Sequence, residues 1–422
     1  MTSARKLRVA VLIDLPRDKG AGGHVKYWER LAHAAAATDS GIDLTLYFSG
    51  EGGDEELSPD VRLRFLPPMF SSARLKFLPY VPAHTDLAPF HPRLAEELPG
   101  YDVIHTTDGF FAFAQTAERI ARWNNIPLVT SFHTDTPAYT ELFTQITIDG
   151  LLGRRFGGLV SRLLKIPARA RASKERRLKK HLQACAAVLA MRAEDIALAK
   201  TVIAEQKILP MHLGVDKNLF TAQRQDRGGV MREYGIGTDK FMTLFVGRVD
   251  AGKNMPVLMQ ACAEVVAAGS RLHLIVAGTG PLQDEVKTKL GDRVTMAGTV
   301  EPEKLARLYA SVDCLAITSE IEIGGMIGLE ALAAGCPVLV SRSSGVAQLF
   351  GDTAAMKMID SGVAAWKAAL AALAGDIAQL SRMRDAAFMS RGALADWDKV
   401  LNNDFIPAWR KVAEERGAPN VR

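Results

Sequence analysis

Two short stretches in the C-terminal half of the chain combine cations, carboxylates and glycines in a way that suits a phosphorylated substrate. The first runs from Gly247 to Asn254 behind the apolar run Met242 to Val246, and carries Arg248 and Lys253. An arginine can grip phosphate oxygens with two parallel hydrogen bonds and a lysine adds a point charge, so the pair could neutralise a departing diphosphate. The second runs from Ser319 to Glu330 behind the apolar run Cys314 to Ile317. Gly324 and Gly325 there would open a helix at Met326, whose unpaired amides and positive dipole end favour phosphate. Glu322 before that helix and Glu330 more than a turn inside it could accept hydrogen bonds from sugar and ribose hydroxyls.

Two other phosphate-loop readings compete. Gly247 to Lys253 fits G-x-x-x-x-G-K, but Asn254 stands where a magnesium-holding loop needs a Ser or Thr hydroxyl, and no second strand ends in a suitable Asp. Gly278-Thr279-Gly280-Pro281 follows the run Leu272 to Ala277 as a dinucleotide fingerprint would, yet Gln283 occupies the third glycine position. A tight turn between strand and helix is the plain reading of that pair. In the N-terminal half the candidates are the loop Gly20 to His24, where Gly22 and Gly23 permit close approach of backbone to a ligand, and His133. Each has an ordinary alternative: a turn for the glycines, a structural imidazole for His133 and, for Arg248 and Lys253, two solvated loop cations.

The elements that must position these residues follow a rhythm. Short β-branched runs (Val9 to Ile13, Leu44 to Phe48, Val103 to His105, Leu128 to Phe132) alternate with helical patterns, which implies a parallel sheet with helices on both faces. The rhythm stops over residues 151–208, which read as mostly helical and basic with Pro167 breaking the run. It restarts at Met242 to Val246 and continues to Val338 to Ser341. The expected fold is therefore α/β with two doubly wound, Rossmann-like domains and a cleft between them, residues 1–208 and 209–395, because 422 residues exceed what one core serves. Ligands in such sheets bind beyond the carboxyl ends of the strands, where all of the candidates above fall.

Composition narrows the class. Apolar residues make up 48 % and charged residues 23 %, as in a globular protein and unlike a disordered one. The basic start reads as leading into a strand and not as an export signal, because Asp14 interrupts the apolar run after Ile13. Four scattered cysteines without C-x-x-C spacing suit buried thiols in a reducing cytoplasm and no zinc site. A net charge of +5 argues against a nucleic-acid partner, but eleven cations against the single acid Glu175 crowd the segment from Arg154 to Lys180.

Ser319, Glu322, Glu330, Ala331, Ala333, Gly335, Pro337 and Val338 match a signature of a Ser-x-x-Glu turn, a second Glu and Ala-x-Ala-x-Gly-x-Pro-Val. With this the chain resembles the retaining GT-B glycosyltransferases of family 4, and Gly22-Gly23-His24, Ser131 to Asp135, Gly214 to Asp216, Arg248 with Lys253, and Gly278 to Pro281 agree in order. The resemblance implies that Arg248 and Lys253 bind the diphosphate of a nucleotide-sugar donor, Glu330 the ribose and Glu322 the transferred sugar. Gly280, Gly324, Gly325 and Met326 would complete the donor site, and His133 would face the reacting sugar from the first domain. It implies no metal or other cofactor, leaves UDP- and GDP-sugars undistinguished, and makes residues 396–422 a closing helix on the first domain.

Two departures stand out. Gly324 replaces a usual aromatic, and Ser343-Ser344-Gly345-Val346 replaces a usual Gly-Gly-x-x-Glu, so donor preference does not carry over. The segment Phe132 to Tyr139 is similar to that of relatives that glycosylate membrane lipids. That similarity implies a lipid acceptor, with Gly22, Gly23, His24, Asp135 and Tyr139 on the acceptor side; the basic run 154–180, interleaved with apolar residues, could lie on an anionic membrane at the inner face of the cell or be a solvated helical face. A soluble acceptor, a non-catalytic sugar-nucleotide-binding subunit, and an epimerase or inverting transferase are the rival readings.

Overall fold

The computed structural model describes residues 5–18, 21–71 and 86–417. Gly20 and the closing residues 418–422 lie outside these, as do the side chains of Arg154, Arg155, Phe156 and Val160. The chain divides into two compact units, residues 1–212 with 397–422, and residues 213–396. The expected division was at 208/209.

The first unit is built on eight strands: β1 (Leu7–Ile13), β2 (Ile42–Ser49), β3 (Glu55–Ser58), β4 (Val61–Leu66), β5 (Val103–Thr106), β6 (Leu128–Ser131), β7 (Ala187–Ala190) and β8 (Ile208–Pro210). Their order is β3-β4-β2-β1-β5-β6-β7-β8, parallel throughout except for the antiparallel pair β3 and β4. Central β1 is buried on both faces from Val9 to Ile13, which is why it reads as an unbroken apolar run. The helix Gly23–Ala37 covers the sheet with Val25, Trp28, Leu31, Ala32 and Ala35, a stripe at helical spacing.

The rhythm does not stop at 151–208 as expected. Three helices (Thr136–Leu152, Arg154–Leu164 and Ile166–Ala184) intervene, and β7 and β8 then extend the parallel sheet. The strand β7 is Ala-Val-Leu-Ala, too poor in β-branched residues to announce itself. Pro167 does not break a helix either. Lys165, in the left-handed region at φ 51°, makes the break, and Pro167 sits in the first turn of the next helix, where a missing N–H costs nothing.

The helix Ile166–Ala184 is held by a charge cluster of which His181 is buried and Arg177 and Glu118 are half-buried. Arg177 binds Glu118 of the helix Ala112–Trp123 through both oxygens at 2.6 and 3.1 Å, and His181 meets the same carboxylate at 2.5 Å and Thr106 at 2.9 Å. Burial works against a charge on His181, but neighbouring Cys185 and the Glu118 carboxylate outweigh it and raise the imidazole to about 10. The C-terminal segment continues as helix through Trp397–Val400, a π-helical turn Leu401–Phe405 and Ile406–Gly417. It buries Trp397, Leu401, Phe405 and Trp409 against this unit, with Trp397 on Tyr27 and Phe405 on Trp28, each at 5.0 Å edge to face.

The second unit holds six parallel strands: β9 (Phe241–Val246), β10 (Leu272–Ala277), β11 (Val294–Gly298), β12 (Cys314–Ile317), β13 (Val338–Ser341) and β14 (Met356–Ile359), in the order β11-β10-β9-β12-β13-β14. Its core gathers Phe245, Leu258, Leu274, Val276, Trp366 and Leu370. No single helix among the described residues is long and apolar enough to cross a membrane. The bent pair Val363–Gly375 and Ile377–Ala393 passes by length and composition, but Trp366, Leu370 and Leu373 are buried in this core.

The charge on His181 makes stability depend on pH. Its contribution is complete below the ordinary imidazole pKa and is lost as pH rises toward about 10, so unfolding free energy should fall over that interval. Glu118→Gln leaves the buried cation of His181 and the half-buried cation of Arg177 facing an amide and should cost ~3 kcal/mol in denaturant unfolding, flattening the alkaline slope. A variant as stable as wild type, with the slope intact, would show that the cluster holds nothing.

Candidate functional site

In the second unit the loops leaving β9 and β10 are tied together by main chain, and the loop leaving β12 joins them through side chains. Gly247 N–H donates to Ala277 O at 3.0 Å, Val249 N–H to Thr279 O at 2.9 Å and Leu282 N–H to Val249 O at 3.1 Å. Gly278, at φ 147°, and Gly280 are required by this closeness, since a Cβ at either would run into the carbonyl of Gly247 or Val249. The two-glycine turn of the sequence is thus a packing device first.

Arg248 is half exposed and held by Asp250 at 2.7 Å, while the other oxygen of Asp250 accepts the Lys253 amide at 3.0 Å and closes the short 3₁₀ turn Ala251–Lys253. Asn254, in the left-handed region at φ 54°, then leads into the helix Met255–Ala267. Lys253 is pinned twice: its carbonyl accepts from Thr318 Oγ1 at 2.8 Å, and its Nζ donates to Glu322 Oε2 at 2.6 Å. Ser319 Oγ donates to the same Glu322 oxygen at 2.7 Å, and Glu322 O accepts the Gly345 amide at 2.8 Å. The structure therefore brings Lys253, Glu322 and the departing Ser343 to Val346 loop to one place.

The helix Met326–Ala333 starts beside them with Gly325 as its N-cap and no side-chain cap. Gly325 has no room for a side chain because a Cβ would collide with Val346 Cγ2. Gly324 and Met326 flank this uncapped turn, whose amide ends suit an anion. Glu330 lies one turn further, half-buried, and accepts from the Tyr309 hydroxyl at 3.3 Å. Burial, with Glu330 beside it, pushes that hydroxyl well above its ordinary pKa, so Tyr309 stays a donor. Tyr309, Thr318 and Asp250 were missed in the sequence, where nothing but their closeness in the fold marks them.

In the first unit, Gly22 is the N-cap of the helix Gly23–Ala37, with neither a side-chain cap nor a positive φ, and a Cβ there would meet nothing within 4 Å. Unlike Gly278 and Gly325, it has no packing reason to be glycine. His24, in the first turn, stacks on His133 at 4.7 Å with the rings 8° from parallel, and its buried Nε2 has no partner. Burial lowers His24 to about 3 and drives His133 well below the ordinary imidazole value, with His24 and His105 adding to the effect on His133. His133 Nε2 lies 3.1 Å from Trp28 Nε1 and 2.8 Å from Ser131 Oγ. With Asp108 and Thr134 it lines a cavity of about 20 Å³, room for one water.

Asp135 and Tyr139 are less available than the sequence suggests. Asp135 caps the helix Thr136–Leu152 by accepting the Ala138 amide at 3.0 Å, and it also faces Arg192 at 3.4 Å. Tyr139 stacks on Phe143 at 6.0 Å. Trp28, which touches His133, was not singled out in the sequence; the usable signal was that a buried indole N–H must find an acceptor.

The glycines sort by experiment. Gly280→Ala should cost ~2 kcal/mol through collision with the Val249 carbonyl, whereas Gly22→Ser, a good N-cap in open space, should leave stability within about 1 kcal/mol of wild type. Equal losses in thermal or denaturant unfolding would mean that Gly22, too, is a packing residue.

Residues 227–388 match the family model for glycosyl transferases group 1, and residues 21–219 match that for glycosyltransferase family 4. A D-inositol 3-phosphate glycosyltransferase of Segniliparus rotundus is 28% identical over 223 residues, 50% of this chain and 49% of the relative. The chain spans about half the length of the curated relatives it matches. Among solved structures, the Anabaena protein HepE in complex with UDP and glucose superposes with a TM-score of 0.64 at 15% identity, over 98% of this chain and 100% of that one. WaaG, a glycosyltransferase involved in lipopolysaccharide biosynthesis, superposes with a TM-score of 0.66 at 17% identity, over 97% and 100%. These likenesses give the fold, two Rossmann-like units of the GT-B type. The two family matches lie end to end over most of the sequence and enclose the Lys253–Glu322 pair, and the chain belongs to the group 1, family 4 glycosyltransferases.

Proposed function

We propose that the chain is a retaining, metal-independent glycosyltransferase that moves a hexose-type sugar from a nucleoside diphosphate sugar to a membrane lipid or lipid-linked glycan. The observation that carries the donor half is the meeting of Lys253 Nζ and Glu322 at 2.6 Å beside the uncapped helix that begins at Met326. A leaving diphosphate gains negative charge as the glycosidic bond breaks. Lys253, Arg248 and the helix amides would meet that charge with groups already in place, the work a magnesium ion does elsewhere. Glu322 would hold the sugar and Glu330 the ribose, with His133 facing the sugar from the first unit.

The acceptor half rests on a surface. Leu159, Leu163 and Leu164 are 50%, 71% and 51% exposed, and exposed Arg162, Lys165 and Arg169 stand among them. Apolar side chains among cations are what an anionic leaflet binds, at ~1 kcal/mol per cation near the surface. The cations of this segment are not equivalent. Arg171 is paired with Glu141 and Glu175, and Arg177 with Glu118, so the surface-binding set is smaller than the eleven in the sequence. The involvement of WaaG in lipopolysaccharide biosynthesis favours the same class of acceptor.

A nucleoside diphosphate should raise the Tm in EDTA by mass action, and a panel of sugar nucleotides should reveal the donor. Lys253→Ala should lower kcat/KM ~100-fold or more through loss of charge stabilisation while the protein stays folded by circular dichroism. A Tm shift that needs magnesium defeats metal independence, unchanged turnover removes Lys253 from the site, and an inverted anomeric centre in the product defeats retention.

Wild type should co-sediment with anionic but not neutral vesicles, weakening at high salt because the attraction is screened beyond ~8 Å at physiological ionic strength. Leu159→Ser with Leu163→Ser, or Arg162→Glu with Lys165→Glu and Arg169→Glu, should abolish it without affecting donor hydrolysis. Unaltered sedimentation of these variants, or none by wild type at low salt, leaves a soluble acceptor as the better reading.

A further inference from the structure

A chain of four hydrogen bonds runs through the first unit with a donor-only group at each end. Trp409 Nε1 lies 2.9 Å from His105 Nδ1, His105 Nε2 2.8 Å from Ser131 Oγ, Ser131 Oγ 2.8 Å from His133 Nε2, and Trp28 Nε1 3.1 Å from that same Nε2. An indole N–H can only donate. Trp409 therefore requires a bare Nδ1 on His105, which leaves the proton of that neutral ring on Nε2, donated to Ser131. The Ser131 hydroxyl, having accepted, gives its own proton to His133 Nε2. Trp28 independently requires that Nε2 to be bare. Read from either end the polarity agrees, and His133 is left with its proton on Nδ1, which has no hydrogen bond among the described residues.

We propose that Trp28 directly, and Trp409 through His105 and Ser131, are positioning residues that lock His133 as the Nδ1–H tautomer, so that it offers the substrate one hydrogen-bond donor and no base. The role rests on the reading above that His133 faces the donor sugar. The partner it fits is an oxygen with lone pairs, a sugar hydroxyl or a phosphate oxygen, and not a hydroxyl that must lose its proton. A second proton on either ring would set N–H against indole N–H, so both rings resist protonation for a reason beyond their burial. No carboxylate hydrogen-bonds either ring among the described residues: His133 meets Trp28, Ser131, Tyr27 and His24, and His105 meets Trp409, Ser131, Trp28 and Phe405, while Asp108, which shares the small cavity with His133, is taken up by the Phe110 and Phe111 amides at 2.7 and 3.2 Å.

The experiment is ring-nitrogen NMR of protein labelled with ¹⁵N-histidine, assigned through His105→Asn and His133→Asn, with no ligand added. Wild type should show His133 with a protonated Nδ1 and bare Nε2, His105 with the reverse, and neither titrating between pH 5 and 8, the range in which an ordinary imidazole charges. Trp28→Phe together with Trp409→Phe should release the chain and put protons on His133 Nε2. Ser131→Ala, which removes only an oxygen, with Trp28→Phe is the milder pair should the double indole variant fail to fold. In turnover, Trp28→Phe should lower kcat about tenfold with KM for the sugar nucleotide within about twofold, since an oriented donor acts in the transition state. A protonated Nε2 on wild-type His133, titration of His133 near pH 6.5, or an unchanged tautomer in the released variants overturns the proposal. Full turnover by His133→Ala would instead overturn the placement of His133 beside the sugar, a separate failure because the tautomer is read without substrate.

Discussion

A parallel strand buried on both faces must hand its last peptide groups to the loops that follow, and that obligation organises the candidate donor site. Beyond β9 and β10 the loops satisfy each other by main-chain hydrogen bonds, which forces glycine at Gly278 and Gly280. Beyond β12, Thr318 and Ser319 turn their hydroxyls onto the Lys253 carbonyl and the Glu322 carboxylate. The charged side chains of Arg248, Lys253 and Glu322 are thereby mounted on loops that are already tied by hydrogen bonds. The Lys253–Glu322 ion pair is made by side chains alone, so either residue can change partner without unpairing any main-chain group.

The sheets and the two-unit architecture were legible because buried parallel strands and the stripes of their covering helices leave period-specific apolar patterns, as in Val9 to Ile13 and in Val25 to Ala35. The strand β7 was not, because four residues of alanine, valine and leucine serve a buried strand and a buried helix equally. Pro167 misled for a related reason, since a proline ends one helix and begins another at the same local cost and only the φ of Lys165 decides which. Of the candidate site, local spacing singled out Lys253, Glu322, Gly325 and Glu330, and the structure brings Lys253 and Glu322 into contact. Those supplied by other helices (Tyr309 against Glu330, Trp409 against His105) have no local signature.

The basic segment shows what a charge count omits. Arg177 is consumed by Glu118, Arg171 by Glu141 and Glu175, and Lys174 lies over the rings of Phe110 and Phe111 at 5.5 and 5.8 Å, its ammonium disfavoured by burial. These side chains fasten the helix Ile166–Ala184 to the helices Ala112–Trp123 and Thr136–Leu152 and to the turn that carries Phe110 and Phe111. Exposed Arg162, Lys165 and Arg169 stand near the exposed leucines, and Arg176 and Lys180 are exposed further along, so one run of sequence serves both fold and surface.

Three buried imidazoles in the first unit show how the partners, more than the depth, set a charge. His105, His133 and His181 all bear the desolvation penalty that disfavours the cation. His181 has Glu118 on one side and a hydroxyl, able to accept, on the other, and its cation is held far above the ordinary value. His105 and His133 meet indole N–H groups, which can accept nothing, and a cation on either would face a donor with a donor. The same type of side chain is thus a fixed charge where a helix must be anchored and a neutral ring beside the loop that carries His24 and Gly22. What separates the two outcomes is which atoms the neighbouring helices bring: a carboxylate from Ala112–Trp123 in one case, tryptophans from Gly23–Ala37 and Ile406–Gly417 in the other.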